Sequence, residues 1–239
     1  MGRIVCSGLA ALLAAIGPAH AADELATVLT ADGVKFSYVL TTNEAQAVHY
    51  AVILMPGGKG TLDPHLQNGK IAMALGGNFL IRSRGLFAGP GVVAASTDAT
   101  STPGRIQAIV ADLERRYGKL QVYVVGTSSS TNVTLTLAET MDGQVAGFVH
   151  TSSFNRISSF DPRKLTSRNL IVFHDKDACR FTQPAAGQTS HDRYGTDLIV
   201  MDGGKSIGDE CESYAHHGYY GIEKETVDKI KAWIMKPGA

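Results

Sequence analysis

The sequence predicts an α/β fold, with a mostly parallel central sheet and helices on both faces. Three observations carry that prediction. Solid apolar blocks such as Val92–Ala95 and Leu170–Phe173 have the character of central strands covered on both sides. Between such blocks lie amphipathic stretches. The clearest is Arg105–Arg116, where Ile106, Ile109, Val110 and Leu113 share one helical face. The order strand, helix, strand, helix is the one that builds a parallel sheet with crossover helices.

The first residues are expected to be an export signal rather than part of the fold. Arg3 supplies a positive start, Ile4 to Ile16 is apolar, Pro18 breaks the run, and Ala19-His20-Ala21 offers small residues for cleavage after Ala21. The apolar run is shorter than the roughly 20 residues a membrane-spanning helix needs. Residues 1–21 are therefore expected to be removed, and 22–239 to form one catalytic-sized domain that is periplasmic or secreted. No other stretch is long and apolar enough to span a bilayer.

Strands are expected at Lys35–Leu40, Val48–Leu54, Val92–Ala95, Gln121–Val125, Val145–His150, Leu170–Phe173 and Leu198–Met201. The first two are joined by the short polar turn Thr41–Ala47, which predicts that they run antiparallel. Helices are expected at Arg105–Arg116, Thr131–Met141 and Ile222–Met235. In the last of these, Val227, Ile230 and Ile234 face inward and Lys224, Asp228 and Lys231 face water. No linker or charge block divides the chain.

Composition narrows the function. The chain has 22 Lys+Arg against 22 Asp+Glu, so no basic surface invites nucleic acid. Once Cys6 leaves with the signal, Cys179 and Cys211 remain, and an even pair in an oxidising compartment reads as a disulfide. Two free thiols, or half of a metal site with His216 and His217, are the alternatives.

The chemistry starts at Gly126-Thr127-Ser128-Ser129-Ser130, between the strand Gln121–Val125 and the helix Thr131–Met141. A sharp strand-to-helix turn puts its central residue at positive φ and demands small residues two before and two after. Gly126 and Ser130 meet that demand, with Ser130 standing where the usual G-x-S-x-G has glycine. The turn presents Ser128 at a helix N-terminus, which favours developing negative charge. An acidic loop, His174-Asp175-Lys176-Asp177, follows the strand Leu170–Phe173, and His216-His217-Gly218 precedes the last helix. Asp177 is preferred to Asp175 for its reach beyond the strand, and His217 to His216 because it is nearer the helix. His174 reads as structural or pocket-lining, and His49, His65, His150 and His191 as surface or satisfied residues. The cysteine pair would staple the acid loop to the histidine loop.

At this point the chain resembles the α/β-hydrolase superfamily, and more narrowly a small, exported, single-domain bacterial serine hydrolase. The resemblance rests on Leu54-Met55-Pro56-Gly57-Gly58-Lys59-Gly60, Gly77-Asn78-Phe79-Leu80-Ile81-Arg82-Ser83-Arg84, Val125-Gly126-Thr127-Ser128 and His217-Gly218-Tyr219-Tyr220-Gly221-Ile222-Glu223. It implies an α/β-hydrolase-like sheet without a large cap, a triad of Ser128, His217 and Asp177, and an oxyanion hole from the N–H groups of Gly58 and Ser129. The segment from Thr151 to Asn169 is too short for a cap domain, so an open cleft and a small ester-like substrate are expected. The loop Gly60–Asn78 and the pair Tyr219 and Tyr220 are expected to contact substrate. Acyl transfer of this kind calls for no cofactor and no metal. A non-catalytic binding protein on the same fold is the alternative function. A metal site from His174, Asp175, Asp177, His216 and His217 is a weaker third, because no HExxH-like spacing fixes two ligands on one helix.

Overall fold

The computed structural model describes residues 21–43 and 47–236. Residues 1–20 of the expected signal segment, Cys6 among them, and part of the Thr41–Ala47 turn lie outside the described residues. Eight strands form the main sheet in the order β1-β2-β6-β3-β7-β8-β9-β10, and a two-stranded hairpin, β4-β5, stands apart. In chain order the strands are β1 (Ala22–Leu29), β2 (Lys35–Thr42), β3 (Tyr50–Met55), β4 (His65–Gln67), β5 (Lys70–Ala72), β6 (Val92–Ser96), β7 (Gln121–Thr127), β8 (Gly147–Thr151), β9 (Arg168–His174) and β10 (Asp197–Met201). The helices are α1 (Phe79–Arg82), α2 (Arg84–Phe87), α3 (Pro103–Tyr117), α4 (Thr131–Thr140), α5 (Pro184–Tyr194) and α6 (Glu223–Met235).

The strands β6, β3, β7, β8, β9 and β10 run parallel, while β2 is antiparallel to both β1 and β6. The sequence gives the right relative direction for Lys35–Leu40 and Val48–Leu54, but β6 lies between them. The hydrogen-bonded antiparallel start is instead β1 with β2. Strand β1 is mostly exposed, which is why its alternation is weak in the sequence.

Each central strand sends alternate side chains to opposite faces. From β3, Ile53 and Met55 join Ile106, Ile109, Leu113, Leu135 and Leu137 of α3 and α4. Val52 and Leu54 join Phe79, Leu80, Val227, Ile230 and Ile234 of α1 and α6. Val227, Ile230 and Ile234 are buried as their spacing requires. Lys231 departs from the expectation: it is half-buried, its Nζ donates to the Leu86 carbonyl at 3.2 Å, and burial pushes its pKa down.

Helix α3 is fastened to the antiparallel edge by a charged cluster. The Tyr38 hydroxyl on β2 donates to Asp112 Oδ2 at 2.7 Å, Arg116 Nε donates to the same oxygen at 2.8 Å, and Arg115 pairs with Oδ1. Burial opposes the ionised Asp112, but the hydrogen bonds from Tyr38, Arg115 and Arg116 outweigh it and hold its pKa below 3.8. Burial, followed by the carboxylate partner, pushes the Tyr38 phenol up. A carboxyl with a depressed folded pKa stabilises the fold above its unfolded pKa and loses that contribution as pH falls through the folded value.

Tyr38→Phe should therefore cost about 1.5–3 kcal/mol of unfolding free energy near neutral pH. The deficit should shrink in urea titrations as pH drops through the depressed pKa of Asp112. An equal deficit at neutral and strongly acid pH would contradict this assignment.

Candidate active site

The parallel register sets the site. Met55 at the end of β3 lies beside Gly126 of β7, and Thr127 lies beside Thr151 of β8, so several loops leave the sheet along one rim. Strand β7 turns directly into a 3₁₀ turn, Ser128–Ser130, that runs into α4. Ser128 has φ of 54°, the positive value that a sharp strand–helix turn requires. A side chain at Gly126 would meet Thr134 Cγ2 at 2.7 Å and the Ser130 carbonyl at 2.9 Å, so only glycine fits. A side chain at Gly57 would meet the Thr127 carbonyl at 2.8 Å and Ser128 Cβ at 2.9 Å. The glycine loop after β3 thus passes against the turn itself.

Ser130 does more than remain small. Its hydroxyl accepts from the Thr127 N–H at 2.7 Å and shares its proton between the carbonyls of Met55 at 2.8 Å and Thr127 at 2.9 Å. One buried hydroxyl therefore clasps the turn to the end of β3. A second bridge lies beside it: Ser129 Oγ donates to the Gly58 carbonyl at 2.8 Å. Gly58 and Ser129, the expected oxyanion-hole residues, sit together on the wall of the cleft that holds Ser128. The Gly58 N–H has no hydrogen-bond partner among the described residues, and Ser129 belongs to the first helical turn, where N–H groups lack helical acceptors.

The acid and the histidine meet across the rim. His217 Nδ1 lies 3.0 Å from Asp177 Oδ2, and both side chains are buried. The Asp177 carboxylate is otherwise satisfied by the Cys179 N–H at 3.0 Å and the Thr182 hydroxyl at 2.9 Å. Thr182 Oγ1 is also 3.1 Å from His217 Nδ1. Since that hydroxyl donates to the carboxylate, it accepts from the imidazole. Both contacts assign the proton to Nδ1 and leave Nε2 unprotonated in the neutral ring. Ser128 and His217 line one cleft of about 340 Å³, together with Leu75, Asn78, Phe79 and Phe154. The His217 ring is hydrogen-bonded to Asp177 and Thr182, and not to Ser128 Oγ, among the described residues.

The paired candidates, Asp175 with Asp177 and His216 with His217, have different surroundings. Asp175 is partly exposed and lies 3.1 Å from His174 Nδ1, away from His217. His216 stacks on His174 with ring centroids 4.5 Å apart. His174 is fully buried, donates from Nε2 to the Gly203 carbonyl at 2.8 Å and accepts the Lys176 N–H at Nδ1. It is a structural group. His150 is likewise satisfied, by Thr134 and Asn169, and its complete burial lowers its pKa to about 4.

Cys179 and Cys211 form a disulfide. It ties the acid loop to the loop before His217, and Cys211 itself lines the cleft. Closing a loop of this separation contributes about 3–4 kcal/mol in the chain-entropy model. Among the described residues, the ligand-type atoms that converge are those of Asp177, Cys179 and His217. Here the Cys179 sulfur is committed to the disulfide and offers no thiolate.

Tyr219 and Tyr220 need correction. Tyr219 is fully buried at φ of 56°, with its ring against Phe79. Its hydroxyl donates to the Val172 carbonyl at 2.9 Å and accepts the Ser152 N–H at 3.0 Å. Burial pushes its pKa well up. It braces the histidine turn from below. Tyr220 packs edge-on against Tyr214 and is not among the cleft-lining residues. Of the loop Gly60–Asn78, Leu75 and Asn78 reach the cleft, while β4 and β5 stand away from it. The sequence reading missed Thr182 and Ser152. Ser152 is buried at φ of 42°, and its Oγ donates to the His217 carbonyl at 2.6 Å. Neither stands out in the sequence, because each reaches His217 from far along the chain.

No protein-family model matches the chain, and no curated protein matches it by sequence. Solved structures do match in shape. The esterase domain of a Rhodothermus marinus protein superposes with a TM-score of 0.60 at 10% identity, covering 89% of this chain and 97% of that one. A Xanthomonas campestris protein described as an α/β serine hydrolase without a lid gives 0.56 at 11% identity, over 93% and 99% of the two chains. A cold-adapted esterase from an Arctic intertidal metagenomic library gives 0.60 at 12% identity, over 92% and 95%. The chain therefore has the α/β-hydrolase fold, in a small single-domain form.

Ser130→Gly would restore the usual glycine of such a turn, yet it should destabilise the protein by about 1–3 kcal/mol, because it orphans the Thr127 N–H and Met55 carbonyl. A higher melting temperature for this variant would refute the clasp.

Proposed function

We propose that the protein is an exported serine hydrolase that cleaves a small ester or related acyl substrate through a Ser128–His217–Asp177 triad. The observation that carries this reading is that a strained serine, at a strand–helix turn, and the histidine of a buried histidine–carboxylate pair line the same cleft. The esterase and serine-hydrolase titles of the shape neighbours support it. The disulfide supports an oxidising location and hence export.

Ser128 Oγ attacks the acyl carbon while His217 Nε2 takes its proton. The carbonyl oxygen gathers negative charge and is received by the N–H groups of Gly58 and Ser129, each worth roughly 100- to 1000-fold in rate. Asp177 stabilises the imidazolium and, with Thr182, holds its tautomer. The imidazolium protonates the leaving alcohol, and the acyl group stays on Ser128. Water, deprotonated by His217, attacks that ester, and the acid departs as Ser128 recovers its proton. A cleft of about 340 Å³ lies at the small end for ligand sites, which fits a modest substrate.

A fluorophosphonate should label the wild-type protein but not Ser128→Ala, and hydrolysis of short p-nitrophenyl esters should fall by about 10⁴- to 10⁶-fold in that variant. Equal labelling of both proteins would remove Ser128 from the nucleophile role. Failure of the wild type to label or to cleave any ester would leave a binding protein on the same fold.

A further inference from the structure

Two of the stretches that carry the sequence resemblance, Gly77–Arg84 and His217–Glu223, are only partly explained by the triad. Arg82 and Glu223 join them. Arg82 Nε donates to Glu223 Oε1 at 3.0 Å and its Nη2 lies 2.9 Å from the same oxygen. Nη1 donates to the Gly77 carbonyl at 2.7 Å and Nη2 to the Gly218 carbonyl at 2.6 Å. The guanidinium also lies near the rings of Phe79 and Tyr214, at 5.9 and 5.4 Å from their centroids. The other Glu223 oxygen accepts the Gly221 N–H at 2.8 Å. The pair is well shielded, with side chains 16% and 21% exposed.

The carbonyls that this guanidinium holds are those of residues at the site. Gly218 follows His217 directly, and Gly77 precedes Asn78 and Phe79, which line the cleft. The His217 carbonyl is held from another side by Ser152 Oγ. Two consecutive carbonyls of the histidine turn are therefore pinned by side chains from separate parts of the fold, just before the left-handed Tyr219. A backbone fixed in this way cannot shift the His217 Cα relative to Asp177 or the cleft without breaking hydrogen bonds, of which the one from the guanidinium is charge-assisted.

We propose that Arg82, oriented by Glu223, is a positioning residue that sets His217 and the Asn78–Phe79 wall relative to each other by bridging the Gly77 and Gly218 carbonyls. This inference rests on the serine-hydrolase reading for its catalytic consequence. The role needs a planar fork with several donors. A lysine supplies charge but cannot span two carbonyls and a carboxylate in that geometry. A merely stabilising ion pair would be restored by lysine; this bridge would not.

The test compares wild type, Arg82→Lys and Arg82→Gln by fluorophosphonate labelling rate per folded molecule. Thermal unfolding and the imidazole NMR resonances of His217, assigned with His217→Gln, are followed alongside. Both variants should label about 10- to 100-fold more slowly, the scale of a misplaced catalytic group, and their His217 resonances should shift. A wild-type rate in Arg82→Lys would overturn the proposal. Should the Arg82 variants not fold, Glu223→Gln carries the test: about 3- to 10-fold slower labelling supports it and an unchanged rate overturns it. Should the wild type itself not label, the hydrolase reading falls. The resonances then decide the positioning claim alone, perturbed in support and unchanged against.

Discussion

A buried carboxylate governs the architecture of this rim. Asp177 is almost fully removed from water, and an isolated ionised carboxylate in such a place would be strongly disfavoured. Its oxygens are met by the Cys179 N–H, the Thr182 hydroxyl and the His217 imidazole. Those partners come from the acid loop itself and from the turn before α6, so the carboxylate is tolerated only if the two segments meet. The disulfide between Cys179 and Cys211 acts on the same junction by limiting how far the loops can part. Burial, tautomer and loop closure are thus one constraint.

Strain in the backbone gathers around the same cleft. The described non-glycine residues at positive φ are Asp63, Asn68, Leu75, Ser128, Ser152 and Tyr219. Asp and Asn adopt such angles readily in turns. The other four line the cleft or brace it. Leu75 and Ser128 face it, Ser152 holds the His217 carbonyl, and Tyr219 follows the histidine turn. Conformations of this kind persist where surrounding contacts over-determine them. The clasp from Ser130 to Met55 and the buried Tyr219 hydroxyl supply those contacts here.

Much of the fold is legible in the sequence because burial imposes composition. Leu170–Phe173 must be apolar on both faces, and Val227, Ile230 and Ile234 must recur at helical spacing. The edge strand β1 escapes notice because its first residues are exposed on both faces, so Asp23, Glu24 and Thr27 interrupt its pattern. The interposition of β6 between β2 and β3 is invisible for a different reason: pairing is a long-range choice that local turn length does not determine. At the site, Ser128 is legible because its turn restricts neighbouring residues. The histidine is legible through its position before α6. Thr182, Ser152 and Arg82 are not, since their contacts to His217 and Gly218 join residues remote in the chain. Tyr219 misleads because an aromatic residue beside the histidine suits a cleft wall as well as a buried brace, and only its positive φ and buried hydroxyl decide between them.

The departure at Ser130 shows how a motif can differ without losing its mechanics. Small size satisfies the turn, and the hydroxyl adds hydrogen bonds that glycine cannot make. The most direct measurement on the whole account is a crystal structure of the protein after reaction with a small fluorophosphonate. The account predicts phosphorus bonded to Ser128 Oγ, its oxygen received by the Gly58 and Ser129 N–H groups, and His217 Nε2 within hydrogen-bond reach of Ser128 Oγ or the adduct. An adduct on another residue, or an imidazole turned away from Ser128 while Asp177 keeps a different partner, would contradict it.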